Sequence, residues 1–299
     1  MTENASQMTE YLPVILPLVW AVILALSVFL YVLLGGYDLG LGVLFPLAPS
    51  DKDRDAMMAS VAPFWDGNET WLVLGGIGLL AAFPLAYSVM LPGLYIPIIL
   101  MLMGLILRGV AFEFRFKSER YRWTWDLAFS AGSVLAALMQ GAILGAFIQG
   151  FAVKDNQFAG GPFDWLSPFS IMTAIALLSG YVLLSTGWLI MKADEALREW
   201  AYGIAYTALI AVAAFIAIFS LWTPFLLGAA LFLLSYTGLA VSLFPFIIPP
   251  DITIWQAAAA PKSQLFMLYG TIPLLPIILG YTAYSYYALW EAPDHDAYH

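Results

Sequence analysis

Apolar runs of about 20 residues, the length that crosses a bilayer, recur along almost the whole of this chain. Few folds are open to such a sequence. In hydrocarbon every backbone N–H and C=O must be paired within the protein, so only helices and closed barrels span. The runs are continuous and lack the two-residue alternation of barrel strands. The chain therefore reads as all-α, a polytopic transmembrane helical bundle. About eight spanning segments are expected, at 12–34, 70–88, 92–112, 127–152, 168–191, 200–221, 225–248 and 265–290. Only 10% of the 299 residues are charged, against about 25% in soluble domains. No long linker, low-complexity segment or repeat divides residues 1–299, which read as a single transmembrane domain.

The first run continues through Gly35 and Gly36 toward Pro46, which predicts a long, tilted or kinked helix. A short interfacial helix is expected from the polar stretch that Ser50 opens. The N-terminal tail carries Glu3 and Glu10 and no base, so the first run reads as a retained helix rather than a cleaved signal. Bases fall in alternate connections: Lys52 and Arg54 in 49–63, Arg115, Lys117, Arg120 and Arg122 in 113–126, Lys192 and Arg198 in 192–199. The positive-inside rule puts these three in the cytoplasm and the N-terminus outside. Continued alternation would put the 249–264 connection inside as well.

The net charge of −9 and the lack of a basic patch set nucleic acid aside. With no Cys, disulfides, iron–sulfur clusters and thiolate metal sites are excluded. The only two His, His295 and His299, lie in the C-terminal tail, so no spanning segment supplies a His ligand to haem or metal.

Acids at the edge of hydrocarbon are costly and are kept mostly where they are used. The stretch Ala62-Pro63-Phe64-Trp65-Asp66-Gly67-Asn68-Glu69-Thr70-Trp71 places two of them at the cytoplasmic mouth of an apolar run. Helix capping accounts for one acid, since a first-turn carboxylate is favoured by roughly 0.3–1 kcal/mol. It does not account for a second acid one turn on, with Trp65 and Trp71 bracketing the pair. Two carboxylates so spaced share a helical face and repel, an arrangement that suits uptake of a proton. Asp38, within Gly35–Gly42, reads either as a solvated headgroup-level acid or as a functional one, a protonatable relay or a partner for Arg108. Arg108 lies deep enough to need a carboxylate, whereas Arg115 reads as a topology and anionic-lipid residue. The small-residue pairs Gly36/Gly40 and Gly141/Gly145 read as helix-packing contacts. Two classes stay open on these residues: a subunit supporting proton delivery in a larger complex, and a stand-alone proton- or ion-coupled carrier.

Four blocks in order resemble subunit II of the cytochrome bd-type quinol oxidases, especially the cyanide-insensitive branch. They are Gly36-Tyr37-Asp38-Leu39-Gly40-Leu41-Gly42, Ala62–Trp71, Arg108–Arg115, and Phe244-Pro245-Phe246-Ile247 through Ser263-Gln264-Leu265 to Pro276–Ala283. The resemblance implies a heterodimer in the bacterial cytoplasmic membrane. Its subunit I holds haems b and d, oxidises quinol and reduces dioxygen to water. Subunit II would ligate no haem, stabilise subunit I and contribute a cytoplasmic proton-intake path. Asp38 and Asp66 match acids of that path, Trp65 its flanking aromatic and Arg108 a basic position beside them. Glu69 joins the path by spacing alone, with Asn68 and Glu113 as supporting residues. The resemblance also admits a structural quinone or lipid in a groove of subunit II, and a small accessory single-helix subunit. The family pattern has nine spanning helices. This chain is short by a loop and a helix between about Thr223 and Phe225, and it lacks the acid that family members often carry just before the Asp38 position.

Overall fold

The computed structural model describes residues 2–118, 120–219, 236, 239 and 243–288. α1 (Thr2–Leu30) passes without a break into a π-helical turn (Tyr31–Gly35), α2 (Gly36–Leu44) and a 3-10 turn (Phe45–Leu47). The expected long first helix is thus realised, with its irregularity at Tyr31–Gly35. α3 (Asp51–Val61) is the expected short interfacial helix; the Ser50 hydroxyl caps it by accepting from the Asp53 N–H at 3.2 Å. α4 (Trp65–Ala82), α5 (Pro84–Phe114), α6 (Arg122–Gln149), α7 (Pro168–Lys192) and α8 (Glu195–Phe219) follow.

The break expected between the segments 70–88 and 92–112 is not a loop. α4 ends at Ala82 and α5 begins at Pro84, running unbroken for 31 residues through Pro92 and Pro97. Proline is well placed at a first helical position, where its missing N–H costs nothing. The chain therefore turns at Phe83, and the later prolines stay inside the helix. A hairpin, β1 (Val153–Lys154) with β2 (Gln157–Phe158), joins α6 to α7. A second, β3 (Phe246–Ile248) with β4 (Ile252–Thr253), leads into a short α9 (Ile254–Ala257) and the long α10 (Pro261–Ala288).

Among the described residues, five helices are long and apolar enough to cross a membrane: Leu12–Leu47, Pro84–Phe114, Arg122–Gln149, Pro168–Lys192 and Pro261–Ser285. Most of the segment expected at 225–248, and the shortening near Thr223, lie outside the described residues. α5, α6, α7 and α8 pack each against the next, α2 lies against α6 and α7, and α4 against α1 and the π turn. Close approach rests on small residues. A Cβ on Gly40 would stand 2.1 Å from the Tyr181 carbonyl oxygen, and one on Gly141 would stand 2.4 Å from Ala174 Cα.

The three basic connections gather at one end, the inner end. There Met57, Met58, Phe64, Phe112, Phe129, Trp188 and Leu197 form one cluster, and the Trp188 indole donates to the Ser60 hydroxyl at 3.1 Å. The opposite cluster contains Phe83, Phe151, Trp165, Ile248, Ile252 and Ile254. The Ala259 N–H bonds to the Ala82 carbonyl at 2.9 Å, and a Cβ on Gly150 would meet the Pro249 carbonyl oxygen. The 249–264 connection thus packs beside the 152–167 hairpin at the outer end, not the inner end that alternation predicts. Its near lack of bases left the charge rule nothing to read.

Candidate functional site

Asp38 of α2, Asn68 and Glu69 of α4, and Arg108 of α5 meet in the inner third of the bundle. The π turn delivers part of this geometry. It changes the hydrogen-bonding of the helix just before Asp38, and the Leu34 carbonyl accepts from Asn68 Nδ2 at 3.1 Å. The same amide nitrogen donates to Asp38 Oδ2 at 3.0 Å, so one side chain ties α4 to both the turn and the acid. Arg108 Nη2 lies 3.1 Å from Asp38 Oδ1, and Nη1 lies 3.8 Å from Glu69 Oε1. The Asp38 and Arg108 side chains are each 1% exposed and Glu69 24%.

Aromatic rings enclose the guanidinium. Its carbon sits 5.2 Å from the Phe112 ring centroid and 5.7 Å from that of Phe129, close enough for cation–π attraction. Trp65 stacks on Phe112 at 5.0 Å with 10° between the planes. It also lies over Gly109, where a Cβ would be 3.3 Å from the indole. Asp66 is exposed on the first turn of α4, near enough to Glu69 for their charges to interact. Glu113 is not part of this group; it is exposed and pairs with Lys117 at 3.1 Å.

Two carboxylates therefore share one guanidinium in a largely dry setting. A buried net charge is costly, and the cluster is neutral when the two acids hold one proton between them. The Arg108 contacts with Asp38 Oδ1 and Glu69 Oε1 are ion pairs rather than aligned hydrogen bonds, and Arg108 Nε is buried without a hydrogen-bonding partner. Buried polar groups are rarely left so, and such a pair contributes little to stability by itself. The arrangement suits taking up and releasing a proton better than it suits bracing a fold.

Two polar groups escaped the reading of the sequence. Arg115, assigned there to topology and lipid, is 1% exposed. It bonds Asp55 at 2.6 Å through Nη1 and Asp126 through Nε, while Arg122 pairs with the same Asp55. The signal was present: Arg115 follows Arg108 by two helical turns and so shares its inward face. The second is a chain of neutral groups, Tyr181 to Gln140 to Tyr31, spread over three elements with no spacing that links them.

The fold and the site define a polytopic helical membrane protein with a buried carboxylate–guanidinium cluster near its inner face. Residues 16–233 and 222–289 match the family model of cytochrome bd terminal oxidase subunit II, and the chain belongs to that family. It is 25% identical over 358 residues to a cytochrome bd-I ubiquinol oxidase subunit 2 of Escherichia coli (strain K12), covering 92% of this chain and 94% of the relative. A probable cytochrome oxidase subunit 2 of Haemophilus influenzae is 33% identical over 189 residues, covering 60% of this chain and 50% of that relative. Among solved structures, a chain of the bd oxidase from Geobacillus thermodenitrificans superposes with a TM-score of 0.64 at 16% identity. It covers 93% of this chain and 99% of that one, a likeness of fold. As to haem, the sequence holds His only at 295 and 299, and the described residues form no group of three or more His, Cys, Asp or Glu able to hold a metal. Axial His ligation within the bundle does not fit the residues present.

Proposed function

We propose that this chain is the non-haem-ligating subunit II of a bacterial membrane quinol:dioxygen oxidoreductase. In this reading it braces a haem-bearing subunit I and supplies a cytoplasmic proton-intake path. Reduction of dioxygen to water consumes protons, and an enzyme buried in hydrocarbon must bring them in along polar side chains. Quinol and dioxygen are handled by the partner subunit, and haems b and d are held there. A small accessory subunit and a structural quinone or lipid are compatible with the same assembly.

One observation carries the reading: three acids graded in burial, from exposed Asp66 through Glu69 at 24% to Asp38 at 1%. Asp66 collects a proton at the surface and Glu69 passes it inward. Arg108, held by its aromatic sleeve, stabilises whichever acid is ionised, and Asn68 fixes the Asp38 carboxylate by a hydrogen bond to Oδ2. The test uses the purified complex with its haem content measured. Asp38→Asn and Glu69→Gln should keep the haems and lower oxygen consumption per haem tenfold or more, with Asp66→Asn giving a smaller loss. Wild-type turnover in both inner variants would sink the proposal.

A further inference from the structure

At the end of the bundle opposite the acid cluster, a cavity of about 110 Å³ lies where α5 and α6 meet the β1–β2 hairpin and the loop after it. Three of the residues around it are aromatic: Phe151, Phe158 and Trp165. The Phe151 and Phe158 rings stand edge to face, 6.4 Å apart at 75°. Both converge on Gly93 of α5, where a Cβ would lie 2.9 Å from Phe151 and 3.0 Å from Phe158. The bare glycine is what lets the two rings close against the helix. Trp165 is buried.

The same cavity has a carboxylate at its rim, that of the exposed Asp164. A Cβ on Gly160 would stand 2.5 Å from Asp164 Oδ2 and 2.7 Å from the tip of the Phe158 ring, so acid and ring meet over that glycine. Oδ2 accepts from the Gly161 N–H at 2.7 Å, which fixes the carboxylate in place. Among the described residues no base pairs with it. Gln149 of α6 is held as well: the Ser167 hydroxyl donates to its Oε1 at 2.5 Å, which leaves the amide nitrogen to donate. Aromatic faces and a carboxylate both attract a cation. A metal ion wants a shell of oxygens, and three rings cannot supply one. A purely apolar guest would take water from Asp164 and return nothing for it. An alkylammonium group satisfies both kinds of wall, its carbons against the rings and its charge beside the acid.

We propose that this cavity binds an organic ammonium group, with Asp164 as its counter-charge and Phe151, Phe158 and Trp165 as its aromatic enclosure. Gln149 Nε2 donates to an oxygen carried beside the ammonium, as in an ethanolamine or choline group. The site lies at the outer end, among the connections that meet the membrane surface. Two sources present such a group there: the headgroup of a zwitterionic phospholipid and a small soluble amine. The site shares no residue with the acid cluster, and the inference stands apart from the intake reading.

The test is equilibrium dialysis of labelled choline against the purified complex, stripped of lipid in detergent. Choline should bind saturably and be displaced by tetramethylammonium, but not by tert-butanol, which is similar in shape and uncharged. Asp164→Asn keeps an oxygen for the Gly161 N–H and should weaken choline about tenfold, the loss of one close counter-charge. Asp155→Asn removes the same charge from the exposed hairpin turn and should change nothing. Absence of saturable binding, equal displacement by tert-butanol, or full affinity in Asp164→Asn would overturn the proposal. Should Asp164→Asn fail to assemble, Phe158→Leu decides: choline should weaken about fivefold as the ring face is lost, and full affinity overturns the proposal. Complex recovered from vesicles of phosphatidylethanolamine and phosphatidylglycerol then identifies the source by mass spectrometry of the retained lipid. Phosphatidylethanolamine retained by the wild type and lost in Asp164→Asn supports the proposal with a lipid headgroup as guest. Saturable choline binding without that retention supports it with a soluble amine. None of these readouts uses oxygen consumption, so their failure leaves the intake reading untouched.

Discussion

Gly104 of α5 and Gly132 of α6 face one another so closely that a Cβ on either would meet the other's carbonyl oxygen, at 2.6 and 2.5 Å. The same added Cβ on Gly132 would stand 3.0 Å from the Arg108 backbone nitrogen. The backbone crossing that joins the two longest inner helices therefore also sets where the guanidinium enters the bundle.

Gly132→Ala should force α5 and α6 apart. Overpacking of this kind costs about 1–3 kcal/mol, and here the obstacle is backbone that cannot rotate away. A lower melting temperature of the purified complex is expected. Gly203→Ala in α8, where nothing in this chain lies within 4 Å, should leave it unchanged or raise it, since alanine favours a helix by up to about 1 kcal/mol over glycine.

Removing one member of the buried pair should be worse than removing both. Arg108→Leu strands Asp38 at 1% exposure, a loss of about 3–5 kcal/mol for an uncompensated buried charge. Assembled complex in the membrane should fall sharply. Asp38→Asn combined with Arg108→Leu should recover most of the yield, since Asn68 can still hydrogen-bond the new amide. A double variant as depleted as Arg108→Leu would show that the guanidinium is needed for packing rather than for charge.

Arg115 ties α3, α5 and α6 together through Asp55 and Asp126 at the inner end. Arg115→Ala should lower the midpoint of thermal unfolding by several degrees, because two partly buried carboxylates lose their shared base. Lys117→Ala, which breaks an exposed pair worth at most about 0.5 kcal/mol, should move the midpoint by less than the error of the measurement. Equal effects would contradict the burial of Arg115.

The chain contains no Cys, so single cysteines report sidedness cleanly. Lys154→Cys and Asp251→Cys should both react with a membrane-impermeant maleimide applied to intact cells, read as label on this chain. Lys117→Cys should react only after permeabilisation. Labelling of Asp251→Cys together with Lys117→Cys would contradict the packing of the 249–264 connection against Ala82 and Gly150.

The apolar runs made the helical class legible at once, and depth alone marked Arg108 as needing an acid, which Asp38 supplies. Helical spacing could not divide Asp66 from Glu69. They share a broad face, and only the position of α5 decides that the second turns toward Arg108 while the first stays at the rim. Gln140 was invisible because a single amide in an apolar run says nothing until its two tyrosine neighbours are in place. The turn at Phe83 falls inside the expected 70–88 segment because the apolar run continues across it without a polar residue to mark the end of α4. Burial of Arg115 was legible from its distance to Arg108 and was obscured by the basic residues around it.

The π turn at Tyr31–Gly35 also sets a phase. Each residue in an α-helix turns the chain by about 100°, and the wide turn offsets the outer half of the first helix against the inner half. Trp20, whose indole reaches the Gln264 carbonyl at 3.2 Å, and Tyr31 belong to one half, and Asp38 to the other. Were Tyr31–Gly35 a regular α-helix of the same length, one half would swing about the helix axis by about 100°, so that the Tyr31–Gln140 contact and the Asp38–Arg108 pair could no longer form in the same molecule.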